Sequence, residues 1–468
     1  MKFIHRLASY VFLSLLVTGS MADAQQPVGW RTNGSGVTPD ANPPTVWSKQ
    51  KNVIWSTKFS TRSNAQPVVV GDRIYVCAEP FTLICLNKAD GKILWKRSNS
   101  YRDVTSDEVL AEVEKELAIA KKLKPRLDAV TSKIKQIEKA SQKTKDQVEI
   151  DAFDDQIIEL TKQTRDLEEQ LAKLPLASKY TLPITQRQYN GYTTATPTSD
   201  GRLVWGVFGN RVVACYDRDG KRQWASVLPD HPQAMWGHSS SPVLVGNTLI
   251  VNIEKTVAFD AKTGKQLWVT KYGQSWGSPV RAKIGGEDVV LLANGRFLRI
   301  SDGKILVRVP PLNRPSPVVE GNTAFYIGVQ AIAFDFPKKL TEKLVLQKRW
   351  SVEPKGGEFS SSPVVHDGLV YGVTTNGILN VLDAKSGEQV YVQRLNLGRG
   401  PVWPSLCLAG SYLYISSRNG TTLVLKTGRE YEEVARNTLE YFIATPTFAG
   451  NRLYIRTSNR LYCIGESS

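Results

Sequence analysis

Residues 241–251 read SPVLVGNTLIV, and residues 262–268 read KTGKQLW. The first stretch places two apolar runs on either side of Gly-Asn, a dipeptide that favours a tight hairpin because its turn needs positive φ. The second stretch adds a turn and then an aromatic residue, Trp268. Together the two stretches predict a unit of four β-strands, with the tryptophan near the outermost strand.

The hairpin pattern occurs eight times along the chain. Each copy opens with a proline or a small residue and contains a Gly- or Asp-containing turn. After a first interval of 129 residues, the turns follow one another every 36 to 46 residues, which is the period of propeller blades. The pattern predicts an all-β fold, an eight-bladed β-propeller. The copies are residues 66–76, 196–206, 241–251, 278–292, 316–327, 362–372, 404–415 and 445–455.

The recurring tryptophans predict packing between blades, at Trp95, Trp224, Trp268 and Trp350. The last copy stops one strand short. Residues 52–59 (NVIWSTKF) resemble the outer strand of the first unit. We therefore expect this N-terminal strand to complete the last blade, which leaves no open sheet edge.

An insertion of different chemistry lengthens the first interval. Residues 103–178 lack Trp and Gly, and their apolar residues alternate at three- and four-residue spacing. This spacing predicts an antiparallel α-helical coiled-coil hairpin. We expect Thr105 and Glu108 to cap its first helix, residues 141–146 to form the turn, and Pro175 to end the second helix. Two roles stay open: a solvated decoration, or an arm for docking or dimerisation.

Charge divides along the same boundary. Residues 103–178 hold 13 Lys and Arg against 17 Asp and Glu, a net charge of −4. The whole chain carries +16, so the remainder carries +20. A basic propeller favours a polyanionic partner. In an exported protein, an acidic polysaccharide, lipid headgroups or an acidic protein surface fits this charge better than nucleic acid.

The N-terminus has the pattern of a secretory signal peptide. Lys2 and Arg6 precede an apolar run over residues 7–17, and a small-x-small cleavage site ends at residue 24. No cysteine precedes Cys77, so no lipid-attachment site is expected. We expect an exported, periplasmic or extracellular protein without a membrane span. The predicted organisation is a signal peptide (1–24), propeller (25–102), coiled coil (103–178) and propeller (179–468).

Five cysteines are few for a secreted chain of 468 residues, so packing rather than a disulfide framework should stabilise the fold. Cys77 and Cys85 flank a turn, and two interpretations stay open. They face each other and form a disulfide, or Cys85 fills a position that other copies also give to a small residue. The spacing of the remaining histidines predicts no metal site; they are His231, His238 and His366.

The repeated pattern of small-Pro-apolar, Gly-Asp/Asn and then Asp-x-x-[Thr/Ser/Asp]-Gly-Lys-x-x-Trp resembles the quinoprotein-like (PQQ-like) β-propeller family. The resemblance covers residues 27–100 and 185–465. The family includes PQQ-dependent alcohol and glucose dehydrogenases. It also includes non-enzymatic scaffolds such as the propeller lipoprotein of the outer-membrane β-barrel assembly machinery.

The resemblance implies a scaffold rather than a dehydrogenase. The enzymes use two adjacent cysteines, a calcium-binding set of residues and a catalytic Asp, whereas this chain has no Cys-Cys pair. Its repeated aspartates occupy turn positions, at Asp90, Asp217, Asp260 and Asp383. We expect an exported scaffold or binding protein without a cofactor, whose partner is another envelope protein held by the propeller face or the arm. The alternatives are a quinoprotein oxidoreductase with PQQ, calcium and an atypical pocket, and a sugar- or polymer-active protein.

The candidate ligand-binding residues are chosen from the segments just before the first strand of each unit. In a propeller, these segments surround one mouth of the central channel. Aromatic rings with Arg and His in a concavity suit an anionic or sugar-like ligand. Packing at the channel mouth is the alternative role. The candidates are Tyr192, Trp236, His238, Trp276, Arg314, Phe359, Arg399, Trp403 and Tyr441.

Overall fold

The computed structural model describes residues 27–182, 189–228, 236–273, 275–312 and 314–466. The predicted signal peptide lies outside these residues. The chain is mostly β-structure, as the repeats predict. Two early strands, β1 (Val37–Thr38) and β2 (Val53–Lys58), join sheets formed by the end of the chain.

Every later strand belongs to one of eight antiparallel sheets, which we number along the chain. Sheet 1 contains β3 (Val68–Val70), β4 (Arg73–Ala78), β5 (Thr82–Asn87) and β6 (Ile93–Ser98); sheet 2 contains β7 (Thr198–Ser199), β8 (Leu203–Val207), β9 (Val212–Asp217) and β10 (Arg222–Val227); sheet 3 contains β11 (Val243–Val245), β12 (Thr248–Asn252), β13 (Lys255–Asp260) and β14 (Gln266–Gly273); sheet 4 contains β15 (Val280–Ile284), β16 (Glu287–Leu291), β17 (Arg296–Arg299) and β18 (Ile305–Arg308).

The second half of the chain continues in the same way. Sheet 5 contains β19 (Val318–Glu320), β20 (Thr323–Ile327), β21 (Ala331–Asp335) and β22 (Gln347–Val352); sheet 6 contains β23 (Val364–His366), β24 (Leu369–Val373), β25 (Ile378–Asp383) and β26 (Gln389–Arg394); sheet 7 contains β27 (Cys407–Ala409), β28 (Tyr412–Ser416), β29 (Thr421–Lys426) and β30 (Glu433–Thr438); sheet 8 contains β31 (Thr447–Ala449), β32 (Arg452–Arg456) and β33 (Arg460–Ile464).

The N-terminal strand completes sheet 8, as the sequence predicts. β2 pairs antiparallel with β33, with Val53 opposite Ile464. β1 adds a fifth strand to sheet 7 and pairs in parallel with β27, with Val37 opposite Leu408. The two ends of the chain therefore share sheets, and the outer edge of β33 is covered.

The core of the molecule lies between neighbouring sheets. Each pair of consecutive sheets encloses its own cluster of buried apolar residues, and a further cluster packs sheet 8 against sheet 1. In that last cluster, Tyr454 and Leu461 of sheet 8 are buried together with Ile74 and Val76 of sheet 1. This arrangement is that of a β-propeller.

Tryptophans dock five of the eight sheets onto the next, which confirms the predicted packing role. Trp224 at the outer strand of sheet 2 donates its Nε1–H to the carbonyl oxygen of Ala261, at 2.8 Å. Its ring covers Gly264, where a Cβ would lie 2.5 Å from the indole. Four other tryptophans donate in the same way to a turn carbonyl of the next sheet, and each covers a turn glycine: Trp55, Trp95, Trp268 and Trp350.

A chain of hydrogen bonds joins the sheets at their inner ends. The residue two positions before the first strand makes this bond in seven of the repeats. Its backbone N–H donates to the side-chain hydroxyl of the equivalent residue in the next sheet, at 2.7–3.2 Å. The series runs Gln66, Thr196, Ser241, Ser278, Ser316, Ser362, Ser405 and Thr445. Between sheets 8 and 1, the Gln66 amide instead donates to Thr447 Oγ1, at 2.8 Å.

The insertion forms four helices, α1 (Tyr101–Val104), α2 (Asp107–Ser141), α3 (Gln147–Ala172) and α4 (Pro175–Tyr180). α2 packs along α3 and against α4 through an apolar cluster that includes Leu123 and Leu167. At its base, Arg222 of sheet 2 donates to the carbonyl oxygen of Asp103. Among the described residues, no helix is both long enough and apolar enough to cross a bilayer.

Two predictions about the helix ends are wrong. Thr105 is extended, and α2 begins after Ser106; the capping box lies at α1, where the Ser100 N–H donates to the Asp103 carboxylate at 3.0 Å. Pro175 does not end the second long helix, which finishes at Ala172. It occupies the first turn of α4 instead, where a missing N–H costs no intrahelical bond.

The five cysteines are buried free thiols. In the β4–β5 pair, Cys77 faces Leu83 and Cys85 faces Tyr75, because the register pairs Ala78 with Thr82. The two cysteines are thus offset by two residues along the strands and do not face each other. The disulfide interpretation is wrong, and both thiols belong to the apolar packing.

We expect Gly264→Ala to destabilise the propeller more than Gly246→Ala. Both glycines have positive φ, +71° and +58°, so both variants carry the cost of about 1–2 kcal/mol of a left-handed alanine. Only the Cβ at residue 264 meets a tryptophan, whereas nothing lies within 4 Å of the Cβ at residue 246. The additional loss should be about 1–3 kcal/mol. Urea unfolding of the two variants checks this difference, and equal losses would contradict the docking role of Trp224.

Candidate functional site

The segments that precede the eight sheets converge around one cavity of about 440 Å³. Each segment contributes at least one lining residue. Among the described residues, the lining consists mainly of aromatic rings, hydroxyls and amides, and Arg314 is its one cation. The lining residues are Trp30, Asn64, Gln66, Tyr189, Asn190, Thr194, Thr196, Trp236, Ser239, Trp276, Gly277, Ser278, Arg314, Ser316, Ser360, Ser362, Trp403, Ser405, Ile443 and Thr445. We call this cavity the cup.

The N-terminal segment contributes Trp30 to the cup, and its neighbour Arg31 anchors the segment. Arg31 is 1% exposed, and its Nη2 donates to the carbonyl oxygens of Pro363 and Leu406, at 2.6 and 2.9 Å. The backbone N–H of Arg31 donates to Gln66 Oε1 at 2.8 Å. The segment therefore binds sheets 1, 6 and 7 at once, beside the inner hydrogen-bond series.

Aromatic side chains from different sheets meet at the cup. The ring of Tyr189 lies 5.1 Å from that of Trp236 and 5.9 Å from that of Trp403, both in edge contact. Trp276 donates its Nε1–H to the carbonyl oxygen of Gly237 at 3.2 Å. Trp236 is 41% exposed, an unusual position for so large an apolar ring. Tryptophan faces of this kind stack on sugar rings and planar groups and attract cations.

Two arginines lie beside these rings. Arg314 forms an ion pair with Glu358 at 3.0 Å. The guanidinium of Arg418 lies 4.7 Å from the ring of Trp403 and 5.0 Å from that of Tyr441, and its Nε donates to the Tyr441 hydroxyl at 2.9 Å. Among the described residues, no carboxylate forms a salt bridge with Arg418. This side of the cup therefore has one arginine paired with a carboxylate, Arg314, and one stacked on aromatic rings, Arg418.

A buried carboxylate holds the loop that carries Tyr189. Glu79 accepts hydrogen bonds from the N–H of Tyr192 at 2.8 Å and from the N–H and hydroxyl of Thr193 at 3.1 and 2.7 Å. Burial raises the pKa of this carboxyl, while the bonds from Thr193 and Tyr192 act in the opposite direction. Arg62 donates to the carbonyl oxygen of Tyr189 at 3.3 Å. The loop is thereby tied to sheet 1.

A sequence profile of the family described as outer membrane protein assembly factor BamB matches residues 40–156 and 184–302, half of the chain. The chain belongs to this family. A BamB protein of Yersinia pestis is 25% identical over 260 residues, which cover 50% of this chain and 64% of the relative. The match thus spans less than two thirds of the relative's length.

Solved structures share the fold of this BamB-family chain at low sequence identity. BamB from Moraxella catarrhalis has a TM-score of 0.55 at 12% identity, over 88% of this chain and 99% of that one. A europium-containing methanol dehydrogenase has a TM-score of 0.57 at 11% identity, over 94% and 98%. At this identity, the two comparisons establish the β-propeller fold and nothing about chemistry.

The structure brings four of the nine predicted ligand-binding residues into the lining of the cup: Trp236, Trp276, Arg314 and Trp403. The other five do not line it. Tyr192 is buried against Phe81, with ring centroids 5.2 Å apart, and His238 and Phe359 are also buried. Arg399 is exposed, and Tyr441 is bound by Arg418. A ligand-binding role for the four remains a prediction.

Sequence reasoning missed Trp30, Tyr189 and the hydroxyls of the inner hydrogen-bond series. The hydroxyls had a usable signal, because Ser or Thr stands before proline in six of the eight copies, at residues 196, 241, 278, 316, 362 and 445. Trp30 and Tyr189 lie in segments that are not repeated, so no periodic pattern marks them.

The residues of the cup do not fit calcium-bound PQQ. Within its described lining there is no Asp, Glu or Cys. Across the described parts of the chain, no group of three or more His, Cys, Asp and Glu could hold a metal ion. The repeated aspartates stabilise turns, as predicted: Asp260 accepts from the N–H groups of Lys262 and Thr263, at 3.1 and 2.8 Å.

His238 gives this BamB-family propeller a pH-dependent stability. Burial without a hydrogen-bond partner for Nε2 lowers the pKa of the imidazole from 6.5 to about 4. The unfolded state therefore binds more protons than the native state below pH 6.5, and stability falls as the pH drops towards 4. At pH 5, the contribution of His238 to this loss should be about 2 kcal/mol.

Urea unfolding at pH 7 and pH 5 measures this effect. The free energy of unfolding should differ less between pH 7 and pH 5 in His238→Gln than in the unmodified protein. In His366→Gln, a histidine away from the cup, this difference should stay unchanged. An unchanged difference in His238→Gln would contradict the assignment.

Proposed function

We propose that the chain is an exported, non-catalytic scaffold that binds another protein of the cell envelope. Membership of the BamB family supports this proposal, since the Yersinia pestis relative is named as an outer membrane protein assembly factor. The apolar segment at residues 7–17 supports export through a signal peptide over residues 1–24. The mature protein would act in the periplasm or outside the cell.

We propose that the eight sheets are the blades of one closed, eight-bladed propeller. The eight apolar clusters, one between each neighbouring pair, support this count. We further propose that α2 and α3 form the coiled-coil arm of residues 103–178. At 1.5 Å per residue, the 35 residues of α2 are about 50 Å long.

The observation that carries the scaffold proposal is the apolar surface left open along the arm. Between them, α2 and α3 bury one cluster around Leu123 and Leu167 and a few further apolar residues, Val113, Ile137 and Leu160. Ile119 is 48% exposed, Ile158 56% and Val148 77%. Exposed apolar side chains on a helix pair are suited to a groove or helix of a partner protein.

The charge of the propeller supports a second type of contact. Outside residues 103–178 the chain carries +20, and within them −4. Such a basic surface attracts an acidic protein surface or an acidic polysaccharide. Trp236, Trp276, Arg314 and Trp403 are the candidate ligand-binding residues on this surface.

Replacing residues 105–178 with a short Gly-Ser linker should leave the propeller folded and abolish capture of the envelope partner. The contacts of Arg222 with Asp103 and of Arg211 with Lys179 remain in this variant. Crosslinking in envelope extract, followed by mass spectrometry, measures capture, and the melting temperature measures folding.

A matched pair of point variants refines the arm experiment. Ile158→Asp changes the arm, and Val345→Asp changes a 76% exposed valine of the propeller. Capture should fall in the first and persist in the second. If the linker variant still captures the partner fully, the binding role belongs to the propeller face. If the linker variant does not fold, the proposed domain division is contradicted.

The oxidoreductase alternative makes a separate prediction. Calcium-bound PQQ should raise the melting temperature of a quinoprotein above that seen with PQQ alone, because the metal and quinone bind together. We expect PQQ with and without calcium to give the same melting temperature here, since the described lining of the cup holds no carboxylate. A calcium-dependent rise in thermal-shift measurements would favour the enzyme.

A further inference from the structure

Six hydroxyl groups of the inner hydrogen-bond series line the cup. Each of them accepts a backbone N–H from the preceding sheet, at 2.7–3.2 Å. Within the described residues, none of these hydroxyls donates its own proton to a protein acceptor. They belong to Thr196, Ser278, Ser316, Ser362, Ser405 and Thr445.

These hydroxyls are removed from bulk solvent. Their residues are between 0% and 7% exposed. A hydroxyl that accepts one bond still has an O–H to donate, and a buried donor without an acceptor costs free energy. An acceptor oxygen that enters the cup can take several of these bonds at once.

A buried positive charge lies next to the same residues. Arg31 donates to the carbonyl oxygens of Pro363 and Leu406, which directly follow Ser362 and Ser405 of the cup. No carboxylate pairs with Arg31 among the described residues; its side-chain acceptors are carbonyl oxygens, and its Nε has none. Away from water, the attraction of such a charge for an anion is screened far less than at a surface.

The charge of Arg31 persists at neutral pH. Burial lowers the pKa of its guanidinium from 12.5 to about 10, so the group remains protonated. The exposed side of the cup adds Arg314, whose ion pair with Glu358 at 3.0 Å offsets part of its charge. The hydroxyl donors and the charge of Arg31 therefore both favour an anionic ligand.

We propose that the cup binds an oxyanion, a carboxylate or sulfate carried on a ring, with the anionic oxygens on the hydroxyl series and the ring against Trp236, Trp276 or Trp403. The inference rests on the proposed binding function of the propeller and adds the chemistry of its ligand. Two sources offer this chemistry: an acidic sugar and an aromatic acid. A tryptophan face stacks on either ring.

Isothermal titration calorimetry of the full chain with glucuronate, glucose and benzoate tests the proposal. Glucuronate or benzoate should bind, glucose should bind more weakly, and the affinity of the anion should fall as salt is added. Binding of glucuronate alone assigns the acidic sugar, and binding of benzoate alone assigns the aromatic acid. Equal binding of glucose and glucuronate, or no heat with either anion at millimolar concentration, overturns the proposal.

Ser316→Ala and Ser241→Ala provide a matched pair. Each removes the hydroxyl that accepts an N–H from the preceding sheet, from Ser278 at 2.7 Å and from Thr196 at 2.9 Å. Only Ser316 lines the cup. Both variants should lose a similar free energy of unfolding. Only Ser316→Ala should weaken binding of the anion, by about tenfold. Equal affinities in the two variants contradict a role for the hydroxyls.

Arg314→Gln and Arg399→Gln test the charge without touching the inner series. Arg314 lines the cup and Arg399 does not. The first variant should reduce both the affinity for the anion and its salt dependence, and the second should reduce neither. These titrations use small molecules, so a negative result would not contradict capture of a protein partner by the arm. The two proposals can therefore fail separately.

Discussion

The bond from a backbone N–H of one sheet to a side-chain hydroxyl of the next determines how the inner part of this molecule is built. A hydroxyl is short and accepts in many directions, so it brings the inner strands of two sheets close without a cross-strand ladder. The proline that follows in most repeats fixes φ and supplies no competing N–H. Repetition of this bond holds the segments before the sheets at similar distances from the cup.

The tryptophans perform the corresponding task at the outer ends of the sheets. Trp224 covers Gly264 and binds the Ala261 carbonyl, so the turn of sheet 3 is fixed by an indole of sheet 2. Inner hydroxyls and outer indoles thus fasten five of the sheets to the next one at both ends, and the apolar clusters fill the space between them. The surfaces free to vary are the loops around the cup and the insertion after sheet 1, and those are the places where binding is proposed.

Much of this architecture could be predicted because it repeats. Eight copies of one hairpin pattern identify the sheets, and NVIWSTKF could be assigned to the last of them because it resembles an outer strand. The cup was predicted less well. Arg399 was predicted to bind the ligand because it lies before β27. The arginine that stacks on Trp403 is instead Arg418, in the turn between β28 and β29. Arg31 had no periodic signal at all, since its acceptors lie 332 and 375 residues away.

That separation has a consequence for how the chain folds. The side chain of Arg31 and the strands β1 and β2 find their partners in sheets 6, 7 and 8, which are synthesised last. Contacts between such distant positions require closure of a very long loop, and loop-closure entropy makes such steps slow. The N-terminal segment therefore cannot complete these contacts until almost the whole polypeptide has been synthesised. The step that joins the two ends of the chain should therefore come late in folding.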